Sequence, residues 1–192
     1  IRFVPLFGIQ RGIWFGIFHS VSAFCNAGFD LMGVRAPYSS LVNFSSDPLV
    51  ILTIAFLIII GGIGFMVWND LIDSQFRFGK LKLHTRAVLV ATLGLILVGM
   101  LLIWLFERNG VLQGMGVGSQ VLNAFFHSVT PRTAGFNSVD VGALSDGGKL
   151  TTMLLMFIGA APGSTGGGIK VTTMSVILAA VFGSLRNSED IS

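Results

Sequence analysis

The sequence predicts an all-α membrane protein built on a repeated unit, and three observations predict it. Only 11% of the 192 residues are charged, 53% are hydrophobic, and the mean hydropathy is +0.82. Soluble domains carry about 25% charged residues, so the deficit places the chain in the membrane class. Two segments, Leu49–Trp68 and Ala87–Phe106, each run 20 residues without a charge. About 20 apolar residues, wound as a helix, match the roughly 30 Å hydrocarbon core. Finally, "HSVSAFCNAGFD" (His19–Asp30) and "HSVTPRTAGFN" (His127–Asn137) repeat one polar pattern between apolar segments.

Taken in order, Ile13–Phe24 is apolar but too short to cross, as expected of a re-entrant or interfacial helix. Leu49–Trp68 is the first full span and Ala87–Phe106 the second. Gln120–Thr130 is another short apolar segment. The region Leu150–Leu185 is too long for one span and is interrupted by "GAAPGSTGGGIK", Gly159–Lys170. Glycine and proline break helices, and irregular backbone at membrane depth survives only where protein or a water-filled cavity receives its polar groups. The expectation is a broken helix, Leu150–Ile158 and Val171–Leu185, around an irregular loop. Within the first span, Gly61, Gly62 and Gly64 read as close helix packing, with a bend as the alternative.

Charge gives the orientation. Arg77, Lys80, Lys82 and Arg86 lie between the two full spans, beside Asp70 and Asp73. Positive charge in short loops marks the cytoplasmic side. Arg186 falls on that side by parity. The opposite side then holds Arg35, Arg108, Arg132 and Lys149 against Asp30, Asp47, Glu107, Asp140 and Asp146. A net charge of +3 is too small to argue for nucleic acid. The single cysteine, Cys25, can form no internal disulfide. No basic n-region with a cleavage site is present, so no signal peptide is expected. A start at Ile1 rather than Met suggests a fragment of a longer protein.

The repeat carries the chemistry. His19 maps to His127, Gly28 to Gly135 and Phe29 to Phe136, with the second copy one residue shorter between His and Gly. Each copy orders a short helix, a Gly-containing polar strand, an outside loop and a full span. A helix that stops halfway leaves its partly negative C-terminus in the membrane interior. The strand after it, Cys25-Asn26-Ala27-Gly28 or Arg132-Thr133-Ala134-Gly135, can aim backbone carbonyls at an axis, because Gly tolerates the angles required. A ring of carbonyls replaces the hydration shell of a bare cation. One strand cannot surround an ion, so copies are needed, and Gly28 and Gly135 are expected close together at a central pathway.

Three stretches, "FHSVSAFCNAGFDLMG", "FHSVTPRTAGFNSVD" and "FIGAAPGSTGGGIKVTT", resemble the Trk/Ktr/HKT superfamily of potassium transporters, most nearly the Ktr-type bacterial membrane subunit. The resemblance covers nearly the whole chain. It implies four helix–pore–helix units in one polypeptide, folded like a tetrameric potassium channel. Residues 1–71 would be the second unit without its first helix, 72–86 a cytoplasmic loop, and 87–192 the third unit. The resemblance places filter glycines at Gly28 and Gly135 and carbonyl-bearing residues at Asn26, Ala27, Thr133 and Ala134. Asn26 stands where the potassium-channel signature has Thr. The family's gating loop falls on Gly159–Lys170, including Pro162, Gly163, Ser164, Thr165, Gly166, Gly167, Gly168 and Lys170. The implied function is potassium uptake across a bacterial cell membrane by a multi-pass protein. No metal beyond potassium and no organic cofactor is implied, and sodium is left open as an activator. The implied partners are a second copy, a cytoplasmic nucleotide-binding regulatory ring and the lipid bilayer.

Several side chains carry expectations of their own. His19 and His127 are read as packing within the pore helices, and Ser20, Ser128 and Thr130 as local backbone partners. Arg132 is expected to turn away from the ion path and bond carboxylates or carbonyls behind the filter. Lys170 either bonds loop carbonyls or acts as a positive stop. Phe29 and Phe136 are expected to wedge the outer filter, and Cys25 to be a buried small residue. "GSTGGGIK" is not a phosphate loop, because Ile169 separates Gly from Lys. An intramembrane protease lacks its nucleophile elbow or paired aspartates. The rival is a secondary transporter binding a small solute at the broken helix.

Overall fold

A computed structural model describes residues 2–34 and 37–185. Arg35 and Arg186, used above to orient the chain, lie outside the described residues. Among the described residues eight α-helices follow one another: α1 (Val4–Phe7), α2 (Ile9–Phe24), α3 (Pro48–Gly62), α4 (Phe65–Asp73), α5 (Leu83–Glu107), α6 (Val117–Val129), α7 (Asp146–Phe157) and α8 (Val171–Leu185). No β-strand occurs among the described residues; one isolated parallel bridge pairs Ile158 with Ile169.

The two short helices expected from sequence are α2 and α6, each ending at the repeated motif. Helix α3 begins where Asp47 accepts hydrogen bonds from the Leu49 and Val50 N–H groups at 3.0 and 3.4 Å, with Pro48 in the first turn. Such a cap is worth about 1 kcal/mol. The second expected span is α5, 25 residues, long and apolar enough to cross a membrane by itself.

The first expected span is not one helix. It stops at Gly62, and α4 leaves α3 at an angle of 89°. Gly64 turns the chain with φ +91°, a conformation open to Gly and strained for other residues. A side chain there would also meet the Pro162 carbonyl oxygen at 2.5 Å. The bend leaves carbonyls at the end of α3 without intrahelical donors, a condition every helix terminus must resolve. The loop between α7 and α8 resolves it. Ala161 donates its N–H to the Gly62 carbonyl at 3.0 Å, and Thr165 to that of Gly61 at 3.2 Å; Phe65, opening α4, donates to Gly163 at 2.9 Å. Both alternatives for the glycines therefore occur together: Gly61 packs against the Phe24 carbonyl, and Gly64 bends the chain.

Helix α5 runs past α4, α6, α7 and α8, while α2 packs on α1 and α3, and α3 packs on α6. The α3–α6 contact joins the two copies of the repeat. Its core includes Phe15, Met32, Ile51, Ile54, Phe126 and Phe136. A second cluster, with Ile63, Val67, Val88, Ala161 and Val171, lies around the interrupted region. Outer segments also tie the copies: Leu41 donates to the Asn137 carbonyl at 2.8 Å, and Asn123 Nδ2 to the Ser45 carbonyl at 2.8 Å. Glu107, fully buried at the end of α5, accepts from the Ser145 N–H and hydroxyl at 2.9 and 2.6 Å and so fixes the start of α7.

Candidate functional site

The strands after α2 and α6 adopt one backbone design. Asn26 and Thr133 occupy matching places in the repeat and both have positive φ, 51° and 84°. Gly28 and Gly135 follow with φ of 71° and 93°. Asn tolerates such angles; for β-branched Thr they are a genuine outlier, of the kind that concentrates at functional sites.

The N–H groups turn back to the helix ends. Ala27 donates to the Ser22 carbonyl at 2.9 Å, and at the equivalent place Ala134 donates to the Thr130 carbonyl at 3.0 Å. Cys25, Asn26, Arg132 and Gly135 likewise donate to residues of the helix terminus, and Thr133 donates to the Pro131 carbonyl at 2.7 Å. Their carbonyls are left over. Among the described residues, none of the carbonyls of Cys25–Gly28 or Arg132–Gly135 accepts a hydrogen bond. Matching hydroxyls hold the next residue in each copy: Ser22 Oγ donates to the Phe29 carbonyl at 2.8 Å and Thr130 Oγ1 to that of Phe136 at 2.7 Å.

The two glycines lie against each other. A side chain on Gly28 would run into the Ala134 carbonyl and come within 3.3 Å of Gly135 Cα. One on Gly135 would meet only Gly28 Cα, at 3.9 Å.

The loop Gly159–Lys170 sits against the inner ends of both strands. Its own ladder consists of Gly159 N–H to the Ile169 carbonyl at 2.9 Å and Ala160 N–H to that of Gly167 at 3.2 Å. Thr165 Oγ1 donates to the Phe24 carbonyl at 2.9 Å and accepts from Asn26 Nδ2 at 2.7 Å. Ser164 donates to the Ala161 carbonyl at 2.6 Å. On the other side, a Cβ at Gly166 would lie 2.6 Å from Thr133 Oγ1 and at Gly168 3.7 Å from Thr133 Cγ2. Pro162 and Gly163 meet the α3–α4 bend. Lys170 Nζ donates to the Gly166 carbonyl at 2.7 Å, the first of the two arrangements expected for it.

The histidines pack as expected. His19 is buried among Phe3, Phe15, Phe18 and Phe136, its Nδ1 is 2.6 Å from the Phe15 carbonyl, and its Nε2 accepts from the Leu31 N–H. His127 is buried beside Thr152 Oγ1 at 3.0 Å. No cluster of three metal-ligating side chains occurs among the described residues.

Three expectations are corrected. Cys25, the residue that caps α2, is exposed in this chain, not buried. Phe29 is 71% exposed while Phe136 is completely buried, so only the second phenylalanine is wedged within this chain. Arg132 is buried, but among the described residues it bonds no carboxylate or carbonyl. Sequence reasoning also missed Ser22 and Thr92, and it read Glu107 only as an outer charge, not as the buried acceptor that holds Ser145. The repeat carried a signal for Ser22, since "HSVS" and "HSVT" align its hydroxyl with that of Thr130.

Comparison with known proteins agrees with this architecture. Residues 7–190 match the TrkH family, described as cation transport protein. The chain is 46% identical over 179 residues to the potassium/sodium uptake protein NtpJ of Enterococcus hirae, covering 93% of this chain and 38% of that protein. It is 42% identical over 192 residues to the Ktr system potassium uptake protein B of Bacillus subtilis, covering 99% of this chain and 42% of that protein. The chain thus spans about two fifths of the curated relatives it matches. The crystal structure of the potassium transporter TrkH from Vibrio parahaemolyticus shares the fold, with a TM-score of 0.70 at 20% identity, over 93% of this chain and 37% of that one. By the match of its sequence over residues 7–190, this chain belongs to the TrkH family of cation transport proteins.

Proposed function

We propose that this chain forms two of four pore units of a potassium-uptake subunit, and that its two strands are half of the selectivity filter. The carrying observation is the set of free carbonyls on Cys25–Gly28 and Arg132–Gly135, beside two contacting glycines and two helix C-termini. Carbonyls without hydrogen-bond donors are what a dehydrated potassium ion needs. The helix ends add partial negative charge. Two further strands, outside this chain, complete the ring.

In this reading residues 1–71 hold the second unit, 72–86 the cytoplasmic loop and 87–192 the third unit. Ile9, Ile13, Ile17 and Val21 recur every four residues on the exposed face of α2. That stripe is where a preceding helix of the second unit would pack. The loop Gly159–Lys170 closes the path beneath the filter, and conduction requires it to move. No catalytic step and no organic cofactor enters. Relatives named for potassium and sodium uptake support these ions as cargo, with sodium also a candidate activator. The full-length protein is placed in a bacterial plasma membrane, crossing it several times. Arg77–Arg86 is placed on the cytoplasmic side, where a dimeric subunit would meet a nucleotide-binding regulatory ring.

Gly135→Ser in the full-length protein tests the filter assignment. At φ +93° a side chain is strained by about 1–2 kcal/mol, equivalent to roughly fivefold to thirtyfold. Discrimination of potassium against sodium in a flux assay is expected to fall, because the strained strand no longer holds its carbonyls in place. Equal permeability ratios in variant and parent would refute the assignment.

A further inference from the structure

Beside the two strands lies a small, partly open cavity of about 20 Å³, lined by Asn26, Ile58, Thr92, Val129, Arg132 and Ala160 among others. Its walls carry three buried polar atoms without a hydrogen-bond partner: Arg132 Nε, Asn26 Oδ1 and Thr92 Oγ1. The residues are 8%, 7% and 7% exposed, so bulk solvent does not satisfy them. A buried polar group left unbonded is costly, and an unpaired guanidinium more so. The three atoms come from three elements: the first strand, α5 and the second strand.

Their chemistry is complementary. Arg132 Nε–H can only donate. Asn26 can only accept there, and its neighbour dictates this. Thr165 Oγ1 spends its proton on the Phe24 carbonyl, so it must accept from Asn26, which therefore turns Nδ2 to Thr165 and Oδ1 to the cavity. Thr92 can do either. One molecule that both donates and accepts satisfies all three. A cavity that admits about one water-sized sphere, with polar walls, holds a water and not a larger ligand. A halide would face the lone pairs of Asn26 Oδ1, and a cation would face Arg132.

We propose that a single ordered water occupies this cavity, accepting from Arg132 Nε–H and hydrogen-bonding Asn26 Oδ1 and Thr92 Oγ1. It braces the two strands against α5 from behind. Through Asn26 the brace continues to Thr165, so the filter and the intramembrane loop share one hydrogen-bonded chain. The water site itself does not depend on the filter reading; its effect on ion discrimination rests on it.

A high-resolution map of the full-length protein tests the site. The expected result is one water peak about 3 Å from each of the three atoms. No peak would overturn the proposal. So would a bromide anomalous signal at that point, or Arg132 turned onto a carboxylate. A variant pair tests the brace. Thr92→Val keeps the shape and removes one partner; the peak should weaken or vanish, and potassium over sodium discrimination should fall roughly threefold to tenfold, the size of one lost hydrogen bond. Thr92→Ser should restore both. Unchanged discrimination in a folded Thr92→Val protein overturns the brace. If Thr92→Val does not fold, the Thr92→Ser protein and the parent still decide the site by their maps. A parent that holds the water yet shows no discrimination would instead overturn the filter reading.

Discussion

The strands Cys25–Gly28 and Arg132–Gly135 share a backbone and share almost no supporting side chains. Both have positive φ at the glycine and two places before it, and both send most of their N–H groups to a helix end. Yet Asn26 reaches across to Thr165 at 2.7 Å, whereas Thr133 Oγ1 is buried without a partner beside Gly166. Cys25 is exposed where Arg132 is buried, and Phe29 is exposed where Phe136 is enclosed. The backbone is the repeated feature; each copy secures it from whatever surrounds it. This is the pattern expected when carbonyls do the chemistry and side chains only position them.

The largest expected asymmetry concerns the glycines. Gly28→Ala adds a methyl group against the Ala134 carbonyl at φ +71°, whereas Gly135→Ala meets only Gly28 Cα at 3.9 Å. Gly135→Ala incurs only the backbone strain of about 1–2 kcal/mol; Gly28→Ala incurs that and a steric clash. Potassium uptake by the full-length variants should therefore fall at least tenfold further for Gly28→Ala. The same loss for both would erase the comparison.

Next in size is the contact with the loop, which the first strand makes by hydrogen bonds and the second by packing. Thr165→Val removes the hydroxyl shared by Phe24 and Asn26. Two hydrogen bonds of about 1 kcal/mol each correspond to roughly tenfold to thirtyfold in the population of a displaced loop. Potassium flux without activator should rise by several-fold, read as efflux from loaded vesicles. A flux at the parental level would mean that these bonds do not hold the loop.

The smallest difference lies in the hydroxyl clamps. Thr130 Oγ1 bonds the Phe136 carbonyl in a fully buried setting, and Ser22 Oγ bonds that of Phe29 in a partly buried one. Thr130→Val should cost about 1–3 kcal/mol and Ser22→Ala about 0.5–1.5 kcal/mol in thermal unfolding. The reverse order would show that the second copy is not the more tightly held.

Much of this was legible in the sequence, for identifiable reasons. The short helices ending at Phe24 and Val129 follow from their apolar length and the repeated motif. The interruption between Phe157 and Val171 follows from Gly and Pro in an apolar run. The 89° bend after Gly62 was only half legible: Gly61, Gly62 and Gly64 offered a bend as the alternative to close packing, but an apolar run reads alike whether straight or folded. What bends it is a hydrogen-bond exchange with a loop a hundred residues later, and such pairings leave no local pattern. Thr92, and the unbonded Nε of Arg132, were missed for the same reason. Their roles come from a cavity formed by distant segments.

The most direct measurement is the position of a heavy potassium analogue, rubidium or thallium, in a structure of the full-length protein. The account predicts anomalous peaks on the axis beside the carbonyls of Asn26–Gly28 and Thr133–Gly135, between the two glycines and their counterparts. Ions bound elsewhere, with those carbonyls facing no ion, would contradict it.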